Sequence, residues 1–209
     1  MGDESDRRQA ILDAAFEEFS TKGFQGATIK SIARAAGVRS PALLYWYFPT
    51  KEDLFQAVLG QHAPILQVVL DPGSLRDRPP EEVLPLLARA YLATADTVAN
   101  QRLLRLLVSE ALRRPEIADM LGKRLIDRVL GFLKGYLAHQ IALGRLRPHD
   151  VRASARAFIG TLLPQIVGKV AIPALAADGL TDEEHIATVV AIFLAGLRPG
   201  AAGGDTTGD

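Results

Sequence analysis

The sequence predicts an all-α protein with about nine helices: an N-terminal three-helix head, a connecting helix and a larger helical body. Apolar residues recur at spacings of three and four along almost every segment, which is the pattern of a helix with one buried face. Prolines and glycines separate these segments, and none shows the alternation of a half-buried strand. The 209 residues include no cysteine, so packing rather than disulfides must hold the helices together.

The composition excludes several classes of protein. Lysine plus arginine equals aspartate plus glutamate at 24 each, which argues against a uniformly basic nucleic-acid coat or a polybasic membrane anchor. The acidic N-terminus is unlike a signal peptide, and no uncharged apolar run is long enough to span a bilayer. The absence of cysteine removes thiol catalysis and cysteine-based metal sites. We therefore expect a cytoplasmic protein that is not embedded in a membrane.

The first three helices are indicated by their apolar spacing and their caps. Residues 11–19 carry apolar side chains on one face, and Gly23 is suited to end that helix. Thr28 is suited to cap a second helix, which Gly37 closes. Ser40 followed by Pro41 predicts a third helix from residue 41 to 47, which Pro49 stops.

The connecting helix begins after Thr50, whose capping role is supported by Asp53 three residues later. Pro64 lies in the apparent continuation of this helix. It indicates either a kink that could act as a hinge or simply the end of the helix.

A stretch rich in proline, glycine and charge at residues 71–80 indicates a domain boundary. Beyond it we predict five helices, at residues 81–96, 101–113, 116–143, 151–176 and 182–197. The predicted division is a head at 1–49, a connecting helix at 50–70, a body at 71–198 and a disordered tail at 199–209.

The second and third helices form a helix-turn-helix pattern with unusual side chains. Consecutive helical residues point about 100° apart, so Leu44 and Phe48 can be buried while Tyr45 and Trp46 stay at least partly exposed. Large exposed rings favour a binding partner. Between Glu18 and Glu52 the sequence has five basic residues and no acidic one. A short cationic, aromatic helix suits the DNA major groove, which admits one helix between flanking phosphates.

The stretch from residue 16 to 55 resembles the DNA-binding half of the TetR family of bacterial transcriptional regulators. The motifs that carry the resemblance cover about a fifth of the chain and are specific as a set. They are Gly23-Phe24, Ala27-Thr28-Ile29, Ile32-Ala33, Ala36-Gly37-Val38, Leu44-Tyr45, Phe48 and Lys51-Glu52-Asp53-Leu54.

The resemblance implies a double-stranded, palindromic DNA operator as partner and assigns roles to individual residues. The implied phosphate contacts are Thr28, Tyr45, Tyr47 and Lys51, and the implied base contacts are Lys30, Ala42, Leu43 and Trp46. Lys30 could instead be a solvated or phosphate-facing lysine, and Tyr47 could be half-buried against the first helix.

This chain departs from the family at one point, where six residues rather than five separate Val38 from Tyr45. We expect the extra residue to lengthen the turn, which makes Ser40 the cap and places Arg39 near the DNA backbone. Pro41, Ala42 and Leu43 are apolar, so we expect contacts with thymine methyl groups more than hydrogen bonds to guanine.

The resemblance also implies that the last two helices pair with their copies across a two-fold axis. Their apolar stripes are wider than one intramolecular neighbour needs, although both helices could instead pack only into the protomer's own core. The residues expected at the dimer interface are Ala157, Gly160, Leu163, Ile166, Val167, Val170, Ile186, Val190, Phe193 and Leu197.

The resemblance also implies a small-molecule effector between the body helices, and a long apolar pocket lining would suit a hydrophobic compound. No cofactor or metal is expected. Each polar candidate for its pocket could equally be an ordinary core or surface residue. The candidates are His62, Tyr91, Tyr136, His139 and Gln165.

Several functions compete with this interpretation. Catalysis is disfavoured, because the four histidines are scattered and no zinc-protease, phosphate-loop or nucleophile-elbow motif occurs. A helical ligand-binding protein without DNA binding, and an activator of the same fold, remain open. We expect a repressor that an effector releases from DNA.

Overall fold

The computed structural model describes residues 2–38 and 40–199, and within them the chain forms twelve α-helices and no strand. All but the first residue of the predicted tail lies outside the described residues. The helices are α1 (Gly2–Gly26), α2 (Ile29–Ala35), α3 (Pro41–Tyr47), α4 (Lys51–His62), α5 (Pro64–Leu70), α6 (Pro72–Arg76), α7 (Pro80–Leu92), α8 (Val98–Arg113), α9 (Pro115–Leu121), α10 (Asp127–Ala142), α11 (Val151–Val170) and α12 (Asp182–Leu197).

The helix starts at the N-terminal end follow the caps that the sequence predicts. The Thr28, Ser40 and Thr50 side chains accept hydrogen bonds from backbone amides in the first turns of α2, α3 and α4. The end of α1 differs from the prediction that Gly23 ends this helix. The helix continues to Gly26, and Gly23 forms a kink within it at a φ of 79°. Glycine adopts this left-handed conformation without steric cost, so the chain bends there and then resumes helical hydrogen bonding.

The connection between the head and the body is broken twice. Ala63 is extended, with φ −116° and ψ 90°, so α4 ends at His62 and Pro64 begins α5 as its first residue. The predicted domain boundary at 71–80 contains the short helix α6, because the Asp71 carboxylate accepts from the Ser74 amide and Pro72 takes the first helical position.

The long helix predicted at residues 116–143 is divided in two. A π-helical turn, Gly122–Ile126, separates α9 from α10. Glycine, a poor helix former, stands where α9 ends. Two further predictions were too long, by four residues in α7 and six in α11. Residues Ala93–Ala95 and Pro173–Ala176 are 3₁₀ turns rather than α-helix.

The helices pack around two apolar clusters. The body cluster draws on α5–α7 and α10–α12, with Leu84, Leu137 and Phe158 fully buried. The head cluster draws on α1–α4 and also takes Leu107 from α8 and Ile117 from α9. The head therefore shares its core with helices of the body. Among residues 2–38 and 40–199, no helix combines the length and apolarity needed to cross a bilayer.

Most of the α12 residues predicted for a dimer interface are buried inside the protomer instead. Ile186, Val190 and Leu197 are buried within the protomer's own body cluster, and Phe193 packs against that cluster. Helical periodicity identified these residues as an apolar stripe, but the stripe faces α7 and α11 of the same chain. We therefore leave the three buried residues out of any interface with a second copy.

Candidate DNA-binding surface

The helix-turn-helix is held by a compact turn and a shared apolar contact. Ile32 on α2 and Leu44 on α3 are fully buried in the head cluster, so one face of each helix points inward. Gly37 has a φ of 67°, and the Val38 amide donates to the Ala33 carbonyl at 2.9 Å. This left-handed glycine ends α2 and redirects the chain toward α3.

The outward face of α3 carries the aromatic residues that the sequence predicts to be exposed. Tyr45 and Trp46 are 51% and 66% exposed, whereas Leu43 and Tyr47 are half-buried. The ring of Trp46 contacts that of Tyr47 edge-on, with centroids 4.8 Å apart. Because this contact restricts both rings, they form a preset apolar surface beside the exposed N-terminal residues of α3. Those exposed residues are Ser40, Pro41 and Ala42.

The hydroxyl of Thr28 is positioned by its capping role. It accepts a hydrogen bond from the Ser31 amide at 3.0 Å, and the Ser31 hydroxyl oxygen accepts from the Thr28 amide at 3.1 Å. The bond from the amide leaves the proton of the Thr28 hydroxyl available for donation. An exposed donor at a helix N-terminus is suited to a phosphate oxygen.

The same cap is tied to an acidic residue that the sequence did not single out. The Ser31 hydroxyl donates to a Glu18 carboxylate oxygen at 2.5 Å, and the Lys22 ammonium contacts the other oxygen at 2.6 Å. These hydrogen bonds, chiefly the one from Lys22, lower the pKa of the Glu18 carboxyl. The negative charge of Glu18 is thus paired within the head, which limits its repulsion of DNA phosphates.

Lys51, the first residue of α4, is held close to the protein surface. Its ammonium lies 4.7 Å from the centre of the Phe24 ring and 3.5 Å from the Gln25 carbonyl oxygen. Burial lowers the pKa of this ammonium, because desolvation disfavours the charged form. The contact with the ring fixes the position of the cation at the end of the recognition helix.

Two other cations, Lys30 and Arg8, lie on the head. Lys30 is exposed on α2. The guanidinium of Arg8, which the sequence did not mark, lies 5.1 Å from the centre of the Phe48 ring and so reaches the end of α3 from α1. A contact between residues forty positions apart leaves no signal in a single sequence. Arg39 lies outside the described residues, so its predicted role stays a prediction.

The polar residues predicted for an effector pocket do not share one site among the described cavities. The Tyr136 hydroxyl donates to the Arg78 carbonyl at 2.9 Å, and His139 Nε2 lies 2.7 Å from a carboxylate oxygen of Asp77. Gln165 is buried in the middle of α11, and burial raises the pKa of the Tyr91 hydroxyl. Within the part of the chain that the structure describes, no group of three metal-binding side chains is found.

Among the described cavities, two of these candidates line one each: Tyr136 lines a groove beside α6, and His62 lines a cavity at the junction of head and body. The ring of His62 stacks on Phe16 of α1, with centroids 3.6 Å apart and planes 11° from parallel. Its Nε2 is buried without a hydrogen-bond partner among the described residues. A cavity of about 20 Å³ adjoins the ring, and apolar side chains of α4 and α8 form most of its wall. The wall comprises Leu59, His62, Ala63, Thr94, Asn100, Leu103, Leu104 and Leu107.

Comparison with known proteins decides the family. Residues 11–58 match the family described as "Bacterial regulatory proteins, tetR family". Residues 82–197, more than half of the chain, match "AefR-like transcriptional repressor, C-terminal domain". The chain belongs to the tetR family. The HTH-type transcriptional regulator RutR of Escherichia coli is 32% identical to this tetR-family chain, over 93% of it and 92% of RutR.

Solved structures agree with the tetR-family fold. A putative TetR-family regulator from Mesorhizobium loti superimposes with a TM-score of 0.70 at 23% identity, over 93% of this chain and 98% of that one. The regulator FadR of Bacillus subtilis, in complex with stearoyl-CoA, gives a TM-score of 0.65 at 20% identity, over 90% and 96% of the two chains. This tetR-family protein is therefore a DNA-binding transcriptional regulator, as its helix-turn-helix and its relatives both indicate.

Proposed function

We propose that this regulator represses transcription by binding a palindromic operator as a homodimer, and that a small hydrophobic effector releases it. The observation that carries the proposal is the exposed aromatic face of α3. The Thr28 hydroxyl and the Lys51 ammonium, both held by contacts within the head, are the proposed phosphate contacts. In a helix-turn-helix dimer the two recognition helices enter successive major grooves about 34–36 Å apart. The base contacts from α3 then select the operator, while the phosphate contacts fix its register.

Replacing Lys51 with alanine tests the phosphate role. We expect weaker binding to every DNA sequence by a similar factor, because a phosphate contact carries no base information. The slope of log affinity against log salt should become shallower by about 0.9 for each phosphate that the variant no longer neutralises. Titration of labelled operator and non-operator DNA at several salt concentrations measures both effects. Lys134→Ala, on α10, is the matched control and should leave the slope unchanged.

Replacing Leu43 with alanine tests the base-reading role at the same surface. We expect the ranking of operator variants to change, because the removal of an apolar side chain is felt most where a thymine methyl is read. Selection of binding sites from a randomised DNA pool compares this ranking with that of the native protein. If Lys51→Ala and Leu43→Ala alter affinity and ranking alike, the proposed division of roles fails.

The proposed dimer uses the apolar face that α11 and α12 leave exposed. Leu163 on α11 is 45% exposed and Ile192 on α12 is 69% exposed, although both are large apolar residues. Ala157 and Gly160 are exposed on α11 and would allow a second copy to approach its backbone closely. The half-buried Ile166, Val167 and Phe193 border this face, whereas Val170 is buried.

The proposed release of DNA follows from the position of the cavity beside His62. At about 20 Å³ it holds little more than one water molecule, so an effector must separate α4 from α8 to enter. The α8 residues Leu103 and Leu107 that line it also belong to the head cluster. Entry of an effector therefore displaces α8, which packs against the head. The ratio of the effector's affinities for the opened and closed forms sets how much DNA affinity is lost. FadR, whose structure holds stearoyl-CoA, supports an effector with an apolar part, because that ligand carries a long acyl chain.

Acidification is expected to destabilise the protein through His62. Burial lowers the pKa of this imidazole from its usual 6.5, although the side chain of Asn100 and the charges of Asp13 and Glu17 act in the opposite direction. As the pH falls, the His62 imidazole of the unfolded chain is therefore protonated near pH 6.5, whereas that of the folded chain is protonated only at lower pH. The contribution of His62 to stability is complete above the pKa of the unfolded state and is lost as the pH falls toward the pKa of the folded state. Urea denaturation midpoints at about pH 7.5 and 5.5 measure the loss.

His62→Gln supplies the control for this pH effect. Glutamine keeps a polar side chain at the cavity but has no proton to bind in this range. The difference between the two midpoints should shrink in His62→Gln. An equal loss of stability in both proteins would assign the acid sensitivity to other groups.

A further inference from the structure

An open groove lies between α6 and α10. It has a volume of about 330 Å³ and shares no lining residue with the cavity beside His62. Small-molecule sites in proteins are typically about 300–1,000 Å³, so the groove is large enough for a compact ligand. Its lining residues are Pro72, Arg76, Gly131, Phe132, Gly135 and Tyr136.

The α10 side of the groove is flat because it has no side chain at two adjacent positions. Gly131 and Gly135 lie four residues apart and so share one face of the helix. A Cβ at either position would meet nothing within 4 Å, so the helix backbone is open to direct contact. The rings of Phe132 and Tyr136 lie within 10° of parallel, with centroids 6.2 Å apart. A planar ring can lie on the glycines against the half-buried Phe132.

Hydrogen bonds between α10 and the end of α6 hold the walls of the groove in place. Tyr136 and Gln140, both buried on α10, donate hydrogen bonds to the carbonyls of Arg78 and Arg76 at 2.9 and 2.7 Å. Arg145 donates to the Asp77 carbonyl at 2.7 Å. These bonds fix the end of α6 and the turn after it against α10. A preformed site loses little conformational entropy on binding.

The charge in the groove selects the sign of the ligand. Arg76 provides the one charged side chain among the six lining residues. Arg76 is exposed, and its guanidinium makes no ion pair with any residue in the described ranges. A guanidinium pairs best with a carboxylate, which it can hold through two parallel hydrogen bonds.

We infer that this groove binds a planar aromatic carboxylate. Its ring lies on Gly131 and Gly135 against Phe132, and its carboxylate pairs with Arg76. Tyr136, a candidate for the effector pocket, lines this groove, but the site uses neither α3 nor the cavity beside His62 and so goes beyond the proposed operator and effector functions.

Calorimetric titration of the full-length protein with 2-naphthoate tests the inference. We expect saturable binding that is weakened about tenfold or more by Arg76→Gln, which removes the charged hydrogen bonds. Gly135→Leu should abolish binding, because its side chain fills the groove. Arg128→Gln and Ala138→Leu change exposed residues of α10 outside the lining and should keep the native affinity. The uncharged 2-naphthalenemethanol should bind more weakly than 2-naphthoate.

Two results would overturn the site: no saturable binding to the native protein, or an affinity that Arg76→Gln and Gly135→Leu leave unchanged. Equal affinity for the acid and the alcohol would overturn its preference for a carboxylate. The titrations contain no DNA, so their failure would leave operator binding untouched. A loss of operator binding would equally leave the titrations unaffected.

Discussion

Trp46→Ala is expected to reduce the affinity for operator DNA by about 30-fold or more, since truncating a central interface tryptophan costs about 2 kcal/mol or more. Trp46 is 66% exposed and contacts Tyr47 edge-on, so its loss removes binding surface without opening a cavity in the core. The thermal midpoint should therefore stay close to that of the native protein. Fluorescence anisotropy of labelled operator DNA measures the affinity, and circular dichroism measures the midpoint.

The native protein offers an independent measurement at the same position. Trp46 is the one tryptophan in the chain, so the tryptophan emission of the protein reports on α3. We expect this emission to change when DNA from the promoter of the protein's own gene is added. Rising salt should reverse the change. Leu112→Ala is the matched control for Trp46→Ala and should keep the native affinity for the operator. Leu112 is also apolar and is 83% exposed, but it lies on α8. Constant emission, together with no mobility shift at low salt across a range of fragments, would refute DNA binding by α3.

Phe55→Ala is expected to lower the free energy of unfolding by about 3–5 kcal/mol, which is the usual cost of emptying a buried phenylalanine site. Phe55 is buried at the centre of the head cluster, with ring centroids 4.8 Å from Phe19 and 4.9 Å from Phe24. Whole domains are commonly stable by only about 5–15 kcal/mol, so the effect is large. Denaturant titration measures it.

Two probes show whether this loss stays in the head. Trp46 emission reports the head, whereas far-ultraviolet circular dichroism is dominated by the body helices. Because Leu107 and Ile117 belong to the head cluster, we expect both transitions to shift together to lower denaturant. Phe158→Ala, in the body cluster, should also move both. A shift of the Trp46 transition alone would show that the predicted head at residues 1–49 unfolds by itself.

The sequence was most informative where local chemistry decides the structure. Ser40, Pro41 and Pro49 predict the observed bounds of α3, because a cap, a first-turn proline and a terminating proline act within a few residues. The exposure of Tyr45 and Trp46 followed from helical geometry once Leu44 was assigned to the core. This is why the recognition helix could be predicted from one sequence.

Contacts between distant segments were not predictable in this way. Periodicity showed that α12 has an apolar stripe, but it could not show that Ile186 and Val190 face their own protomer. It also gave no sign that Ser31 joins Glu18, or that Arg8 covers Phe48. The polar pocket candidates do not meet in any one of the described cavities, and the sequence could not have shown whether they do. Each was identified by its contrast with apolar neighbours in sequence, which contains no information on tertiary position.

The core shared between the head and α8 has a consequence for building chimeric regulators. A graft of residues 1–49 onto an unrelated body would leave the head without the side chains of Leu103, Leu107 and Ile117. The transplanted helix-turn-helix would then be less stable, because part of its apolar core would be missing. A functional exchange must therefore carry α8 and α9 along with the first four helices, or reproduce their apolar contacts in the recipient.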